Sequence, residues 1–206
     1  SGGTSEPIDA VRAITNTSTG HTGALIADRL LEEGHSVHFL TASSGRRPLA
    51  ASPDLTTETF ATFQELATKL KASISAQHFD AIVHAAAVAD YSLVAPATQK
   101  IDSENEITLT LRKNPKLIDS IRSWSKNKDI RIVAFKLTAG EDRSTKLRTL
   151  AAHAAPHWIL ANDIQTLPAW DLFSHENQFT APIANGQNRE GLARTLETVI
   201  SEGMML

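Results

Sequence analysis

Hydrophobic positions along the chain alternate between the spacing of amphipathic helices and the short runs typical of strands. We predict helices over 20–33, 63–76, 115–124, 142–154 and 189–203, from apolar spacing and from helix boundary signals. The apolar runs between them predict strands at 35–42, 80–91, 130–137 and 157–163. Strands that alternate with helices favour an α/β fold, with a doubly wound, mostly parallel sheet and helices on both faces.

Three further segments carry weaker strand patterns. Residues 56–61 form a short extended run, and 106–113 alternate apolar and polar positions like a half-exposed strand. Residues 173–186 resemble a short hairpin or an edge strand. The chain shows no internal repeat or linker, so we expect one domain over 1–206.

Composition and net charge limit the kinds of partner that the protein is expected to bind. Of the 206 residues, 41% are hydrophobic and 21% are charged, with a net charge of −3, which gives no overall attraction to nucleic acid or to an anionic membrane. No apolar stretch reaches the roughly 20 residues that span a bilayer. The chain has no cysteine, which excludes disulfides and thiolate chemistry and favours a cytoplasmic location.

Ligands of such sheets bind beyond the carboxyl ends of the strands, so the residues that follow strands are candidates for a site. The stretch ITNTSTGHTG, residues 14–23, places hydroxyl and glycine residues where a helix begins. It fits either helix capping or a phosphate site at the helix N-terminus. It lacks G-x-G-x-x-G and G-K-[ST], so neither the usual dinucleotide fingerprint nor a P-loop is present.

The stretch VHAAAVADY, residues 83–91, has four alanines and two valines after a strand. Small residues there allow a flat group to approach the backbone closely, although tight helix–sheet packing has the same composition. Asp90 stands just beyond the strand, where a carboxylate can accept a hydrogen bond from a ribose hydroxyl.

Isolated cations and polar residues in loops have two interpretations each. Lys100 is either a solvated loop lysine or the cation of a mobile lid that meets a triphosphate. Arg12 is either a surface charge or a functional group in the loop that carries Asn16. The polar residues that end AFK (134–136) and AND (161–163) fit turn chemistry, and the eight histidines show no metal-ligand spacing, so we expect no metal site.

Several of these segments together resemble one family, phosphopantothenoylcysteine synthetase, also called phosphopantothenate–cysteine ligase. The likeness is strongest in SGGTSEPIDAVRAITNTSTGHTG, residues 1–23, and continues in the same order through AAAVADY, KID, ITLTLRKNPKLI, VAFKL, AND and HENQFT. AFKL and STGH are most similar to the free-standing bacterial form, which is not fused to a flavin-dependent decarboxylase.

The resemblance implies a Rossmann-like fold and a reaction with three substrates. The carboxylate of 4′-phosphopantothenate attacks the α-phosphate of CTP or ATP, giving an acyl-nucleotide and pyrophosphate. The amine of cysteine then displaces the nucleotide monophosphate and forms an amide. Mg²⁺ as cofactor and a homodimer are implied with it.

The resemblance also assigns roles to residues of this chain. Asn16 would hold the acyl-nucleotide, Lys100 would offset charge in the transition state, and Arg12 would belong to the same catalytic group. The implied nucleotide-binding residues are Gly2, Gly3, Ser18, Thr19, Gly20, Ala86, Ala87, Asp90, Phe135 and Lys136. Among them, Ser18, Thr19 and Gly20 would meet phosphate, Ala86, Ala87 and Phe135 the base, and Asp90 the ribose.

The chain departs from the family pattern at two points. Many relatives have K-I-K-K where this chain has Lys100, Ile101, Asp102 and Ser103, so the loop carries fewer cations. The family also has a strand before the glycine pair, and we expect such a strand before residue 1.

Two other functions fit an α/β sheet of this kind. A short-chain dehydrogenase needs a Tyr-x-x-x-Lys pair, but Tyr91 is the single tyrosine and Ala95 stands four residues on. A nucleotide-sensing module without catalysis is the other alternative, and turnover of the triphosphate distinguishes it from a ligase.

Overall fold

A computed structural model describes residues 1–140 and 142–204. The strands span Gly2–Gly3 (β1), Ser5–Pro7 (β2), Ala13–Thr15 (β3), Val37–Ala42 (β4), Leu55–Phe60 (β5), Ala81–His84 (β6), Ala86–Ala87 (β7), Tyr91–Leu93 (β8), Leu111–Lys113 (β9), Arg131–Thr138 (β10), Trp158–Asp163 (β11), Trp170–Ser174 (β12) and Pro182–Gly186 (β13). The helices span His21–Glu32 (α1), Phe63–Ala76 (α2), Ile121–Trp124 (α3), Arg143–Ala154 (α4) and Arg189–Met204 (α5), with 3₁₀ turns at Leu117–Ser120 and His175–Asn177.

The strands that carry the fold are mostly parallel, as predicted. β6, β10 and β11 pair in parallel, and β12 and β13 extend this sheet antiparallel to its edge. On the other side, β4 pairs in parallel with β5 and β1 with β7. Ser1 joins these two pairs, because its amino group donates to Leu40 O at 2.5 Å and its carbonyl accepts from Ala42 N at 3.0 Å. The carboxyl ends of β1, β4, β7 and β10 therefore open toward one edge.

Helices cover both faces of the sheet, which confirms the doubly wound prediction. Ile132 and Ala134 of β10 pack into a cluster with the apolar sides of α2, α3 and α4, whereas Val133 packs with α1 and α5 on the other face. Successive strand residues point to opposite faces, so a strand buried on both sides has a continuous apolar run, here the four residues 132–135 in the middle of the segment 130–137.

Two sequence predictions need correction around residue 110. The strand predicted over 106–113 is confirmed only for Leu111–Lys113, which pairs antiparallel with β8 outside the main sheet. Ile107 and Leu111 are 47% and 44% exposed, so the alternating pattern has no core to face. The helix predicted over 115–124 is instead a 3₁₀ turn followed by one turn of α-helix.

Other weak signals agree with the structure. The run at 56–61 corresponds to β5, and the segment 173–186 contains the end of β12 and the edge strand β13. The strand predicted over 80–91 is divided into β6, β7 and the start of β8. In the part of the chain that the structure describes, no helix is long and apolar enough to cross a membrane.

A cavity of about 570 Å³ lies within the sheet layer, between the facing edges of β4 and β6. Of the residues predicted for the site, only Ala86 lines it, so the cavity is separate from the loops at the carboxyl ends of the strands. The expectation that a strand precedes residue 1 stays a prediction.

The backbone of β1 lies directly against the start of α1. Gly20 has a φ of 75° and Gly2 a φ of 79°, both in the left-handed region that favours glycine. A Cβ at Gly20 would lie 3.2 Å from the nitrogen of Gly2, and a Cβ at Gly2 would lie 2.8 Å from Cβ of Ala42. The turns at Gly2 and Gly20 can approach this closely only because neither residue has a Cβ.

We predict that Gly20→Ala destabilises the protein more than Gly34→Ala. Gly34 has a φ of 82° but open space around its Cβ position, so its substitution costs only the left-handed strain of about 1–2 kcal/mol. Gly20→Ala adds crowding against β1, which typically costs about 1–3 kcal/mol more in the free energy of unfolding. Urea unfolding of both variants measures the difference, and equal losses would contradict the close approach.

Candidate functional site

The segment 16–19 is an exposed loop that leads into α1. Gly20 is the N-cap of this helix, and no side chain within residues 1–140 and 142–204 caps it. The interpretation of Ser18 and Thr19 as capping residues is therefore wrong. The backbone N–H groups of the first helical turn remain without a side-chain acceptor, which is the arrangement that attracts anions.

Asn16 lies beside β1 and β7, as the predicted site requires. Its Nδ2 donates to Ala87 O at 2.7 Å, and a Cβ at Gly3 would lie 2.7 Å from its carbonyl oxygen. The parallel register pairs Gly2 with Ala86 and Gly3 with Ala87. The structure therefore brings together five of the predicted residues, namely Gly2, Gly3, Asn16, Ala86 and Ala87.

A buried threonine that the sequence analysis missed holds this group in place. Thr4 is fully buried; its N–H donates to Ala87 O at 3.2 Å and its Oγ1 accepts from Ala89 N at 2.8 Å. Its carbonyl accepts from Asn16 N at 3.3 Å. Thr4 thus links the chain after β1 to both the AAAVADY loop and the Asn16 loop.

Glu6 is a second buried group that sequence reasoning missed. Its side chain accepts from Phe63 N and from Ser92 Oγ, each at 2.7 Å. Asn114 in turn donates to Ser92 Oγ at 2.8 Å and to Ala89 O at 3.0 Å. This network connects the β2–β3 hairpin to the β8–β9 hairpin. In the sequence, Glu6 of the SEPID stretch is the residue that could have indicated it.

Arg12 is fixed by Asp9 and by the backbone of Ile101 rather than being a free surface charge. Its Nη1 donates to Asp9 Oδ2 at 3.0 Å and to Ile101 O at 3.1 Å. The pKa of Asp9 lies below its usual range, first because Val11 N donates to it and then because Ile101 N, Arg12 N and the Arg12 charge add to this effect, against the opposing effect of burial.

Lys100 stands next to that contact but is itself exposed. Within residues 1–140 and 142–204 its side chain has no hydrogen bond or ion pair. Its role as a lid cation stays a prediction.

Asp90 already has a partner in the structure. Its carboxylate pairs with Lys116, and its carbonyl accepts from Asn114 N at 2.8 Å. Both side chains of the pair are more than half exposed, so the ion pair contributes little stability and exchanges readily with another ligand. Lys116, in KNPKLI, is a candidate site residue that the sequence analysis did not select.

Phe135 and Lys136 lie on β10 just beyond the end of β6. The register pairs Ala134 with His84, the last residue of β6, so the two following residues extend past that strand. Both are half-buried. They lie toward the carboxyl end of β10, and their contact with a nucleotide stays a prediction.

Asn162 and Asp163, the polar residues of the stretch 161–163, stabilise turns, as their residue types predict. Asp163 accepts from Gly140 N at 3.0 Å, Gln165 N at 2.9 Å and Thr138 Oγ1 at 2.7 Å. These bonds, with Gly140 first, lower the pKa of Asp163. Asn162 Nδ2 donates to Ala169 O at 3.0 Å and shapes the loop before β12.

A group of basic residues surrounds the start of α1. Arg46 N donates to Thr19 O at 2.9 Å, and Arg189 Nε donates to Thr22 Oγ1 at 3.2 Å. The pKa of His21 is lowered, first by burial and then by the charges of Arg46 and Arg189. Arg46 and Arg189 lie on distant parts of the chain, so no local sequence signal identified them.

The arrangement as a whole suits a phosphorylated ligand with a flat group. Free N–H groups and cations meet at the start of α1, and the alanine-lined backbone of β7 lies beside them. Among the described residues, no group of three or more histidine, aspartate or glutamate side chains could hold a metal ion.

Two curated relatives match this chain over most of its length. The chain is 31% identical to the coenzyme A biosynthesis bifunctional protein CoaBC of Methanocaldococcus jannaschii over 166 residues, which cover 79% of this chain and 39% of the relative. It is 30% identical to CoaBC of Vibrio parahaemolyticus over 200 residues, covering 96% and 47%. The chain thus spans less than half the length of these relatives.

Solved structures share the fold. The DNA/pantothenate metabolism flavoprotein of Streptococcus pneumoniae superposes with a TM-score of 0.84 at 26% identity, covering 98% of this chain and 96% of that one. A Cab2 mutant in complex with phosphopantothenate-cysteine gives a TM-score of 0.78 at 19% identity, covering 100% and 87%. At that identity the second likeness shows the fold alone.

The family model for the C-terminal domain of DNA/pantothenate metabolism flavoproteins matches residues 1–201, nearly the whole chain. The fold and the order of the motifs agree with that match. The chain therefore belongs to the DNA/pantothenate metabolism flavoprotein C-terminal domain family.

Proposed function

We propose that the protein is a phosphopantothenate–cysteine ligase that uses CTP or ATP in coenzyme A biosynthesis. The observation that carries the proposal is the position of Asn16, whose amide reaches Ala87 O at 2.7 Å beside Gly3 and the start of α1. The relatives that share this chain's sequence are named as coenzyme A biosynthesis proteins, and a structural neighbour holds phosphopantothenate-cysteine. The free-standing form remains a prediction from the resemblance.

In the proposed first step, a carboxylate oxygen of 4′-phosphopantothenate bonds to the α-phosphorus of the triphosphate. The bond from that phosphorus to the bridging oxygen breaks, and pyrophosphate leaves with its electron pair. Negative groups are brought together, so donors that meet the phosphate oxygens lower the barrier. The N–H groups after Gly20, the hydroxyls of Ser18 and Thr19, and the Lys100 ammonium are assigned to this task.

In the proposed second step, the amine of cysteine bonds to the acyl carbon, and the nucleotide monophosphate leaves. Asn16 has a neutral amide, which can hydrogen-bond a mixed anhydride without adding charge beside the phosphate. Its fixed contact with Ala87 O holds the side chain ready, so little ordering remains when the intermediate forms.

The proposed nucleotide lies along β7 and the end of β10. Ala86, Ala87 and Phe135 would frame the base, with Gly2, Gly3 and Lys136 in the same site, and Asp90 would accept from the ribose. Because the Asp90–Lys116 pair is exposed, a ribose hydroxyl can join or replace the lysine there at little cost.

We propose that Mg²⁺ enters as the complex of the triphosphate. Magnesium sites in proteins commonly use substrate phosphates with one or two carboxylates rather than a cage of side chains. The ion would offset charge on the phosphates, and we route no step through a protein-bound ion.

We extend the proposal to a homodimer and to a cytoplasmic location. Large apolar side chains are exposed on the two hairpins and the segments beside them, at Val11, Ile14, Tyr91, Val94, Ile107 and Leu111. Apolar surface concentrated in this way is typical of a protein–protein interface. A second copy of the chain that packs there would cover it.

We predict that pyrophosphate appears only when triphosphate, Mg²⁺ and 4′-phosphopantothenate are all present. Cysteine should then convert the acyl-nucleotide into the amide, since its amine is the acceptor. Pyrophosphate assays with CTP and ATP in turn measure the activity and the nucleotide preference. Release that does not depend on phosphopantothenate would overturn the ligase, and binding without any turnover would favour the nucleotide-sensing alternative.

We predict that Asn16→Asp slows amide formation more than pyrophosphate formation. The new carboxylate cannot donate to Ala87 O and adds negative charge beside the phosphate, so the acyl-nucleotide should accumulate in acid-quenched reactions. Asn127→Asp is a matched control, because Asn127 Nδ2 donates to Phe79 O at 2.9 Å, just before β6 at its amino end. Wild-type turnover of Asn16→Asp would return Asn16 to a loop role.

We predict that Lys100→Gln slows pyrophosphate formation on the order of 10²-fold, as loss of other preorganised donors does. A solvated lysine would change the rate by about twofold at most. Thermal stability should be unchanged, because the Lys100 side chain is exposed and forms no hydrogen bond or ion pair with the residues that the structure describes. Lys126→Gln serves as the control, since Lys126 also lies in an exposed loop, after α3. Equal pyrophosphate rates in Lys100→Gln and the wild type would exclude the lid role.

A further inference from the structure

The carboxylate of Asp9 joins two loops that carry proposed catalytic side chains. Its two oxygens serve different parts of the chain. Oδ1 accepts from Val11 N at 2.9 Å and from Arg12 N at 2.8 Å, which folds the turn that Asp9 itself begins. Oδ2 accepts from Arg12 Nη1 and from Ile101 N, each at 3.0 Å.

We propose that Asp9 is a positioning residue, whose Oδ2 holds the segment carrying Lys100 against the Arg12 turn. The proposal rests on the function proposed above, because it assigns Asp9 a role through Lys100. It is distinct from catalysis by Asp9, since the Asp9 side chain is fully buried and has no access to a ligand.

Both backbone polar groups of Ile101 are hydrogen-bonded, one to Asp9 and one to Arg12. Ile101 donates its N–H to Asp9, and its carbonyl accepts from Arg12 Nη1 at 3.1 Å. The Arg12 guanidinium is in turn bound to Asp9, so the three residues form a ring of hydrogen bonds. With both backbone polar groups of Ile101 fixed, the neighbouring residue Lys100 has its backbone held while its side chain remains free to move.

The lid segment depends on this contact because it has few others. Residues 95–110 contain no helix or strand. The bonds that the described residues show between this segment and the Arg12 turn are those at Ile101 and one from Ala97 N to Ile8 O at 2.9 Å. A loop held at two points loses less freedom when its lysine meets a ligand.

Burial and charge make the Asp9 contact strong. A buried carboxylate needs partners, and Asp9 has four N–H donors, one of them cationic. Removing the acceptor at Oδ2 would leave the Ile101 N–H and the Arg12 guanidinium without this partner. The expected result is release of the lid segment rather than loss of the Arg12 turn.

Asp9→Asn tests the proposal directly, because it can replace Oδ2 with an amide NH₂ and keep the other oxygen as an acceptor. The amide oxygen can still accept from Val11 and Arg12, whereas the amide NH₂ cannot accept from Ile101. We expect trypsin to cleave after Lys100 about 10-fold faster, and the Ile101 amide to exchange with deuterium about 10-fold faster, since charge-assisted bonds are among the strong ones. Unchanged cleavage and exchange would overturn the proposal, and neither readout requires activity.

Asp28→Asn is the matched control for these readouts. Asp28 also anchors a loop through one carboxylate oxygen, which accepts from Leu49 N at 2.8 Å and Ala50 N at 2.9 Å. The same chemical change there should leave cleavage after Lys100 at the wild-type rate. Equal acceleration in both variants would mean a general loss of stability and would overturn the specific role of Asp9.

A double-mutant cycle links the contact to the reaction. Asp9→Asn should slow pyrophosphate formation about 10-fold in the wild type but change it by less than about twofold in Lys100→Gln, because misplacement of a lysine matters only when the lysine is present. An equal loss in both backgrounds would show that Asp9 does not act through Lys100. If the wild type and all variants form no pyrophosphate, the proposed function fails. The trypsin cleavage test still decides whether Asp9 holds the segment that carries Lys100.

Ile101→Pro removes the same hydrogen bond from the lid side and covers the case in which Asp9→Asn does not fold. Proline has no N–H to donate, and Asp9 keeps its charge and its other partners. We expect pyrophosphate formation about 10-fold slower than in the wild type while the protein still unfolds cooperatively. A wild-type rate would overturn the proposal.

Discussion

The contact between the β1 backbone and the start of α1 is the constraint on which the candidate site depends. Gly2 and Gly20 both adopt a positive φ, and a side chain on either would meet backbone or Cβ atoms within 3.3 Å. The third glycine of the group, Gly3, leaves room for the carbonyl of Asn16. Because no side chain separates these segments, the start of α1, the Asn16 amide and the β7 backbone lie close together.

Buried acidic residues connect this rigid group to the hairpins around it. Glu6 accepts from the first N–H of α2 and from Ser92 of β8, and Asp9 accepts from its own turn and from Ile101. A carboxylate removed from water is costly unless hydrogen bonds replace its hydration. Here those bonds come from segments far apart in the sequence, so satisfying each carboxylate also fixes where the segments lie.

Sequence reasoning predicted those features of the fold that local residue patterns determine. The apolar residues at 132–135 identified a strand buried on both faces, whereas the ligand-binding roles that the resemblance implies for Asn16, Gly20 and Ala87 stay predictions. Alternation alone failed at 106–113, where Leu111 pairs with β8 but no core covers either face. Thr4 and Lys116 were missed because their partners are set by tertiary register: Lys116 reaches Asp90 only once Tyr91 pairs with Lys113.

Positive charge is placed differently in the loop at 95–110 and beside α1. The loop has Asp102 and Ser103 where many relatives have the last two lysines of K-I-K-K, so Lys100 is the one cation of this loop and has an acidic neighbour. Near α1, the backbone N–H of Arg46 donates to Thr19 O, and the side chain of Arg189 is bonded to Thr22 of the first helical turn. A charge fixed beside a helix N-terminus needs less reordering when an anion arrives than an exposed loop charge, which must first be positioned. The Arg189 side chain is fixed in this way, whereas the position of Lys100 depends on the bond between Ile101 N and Asp9.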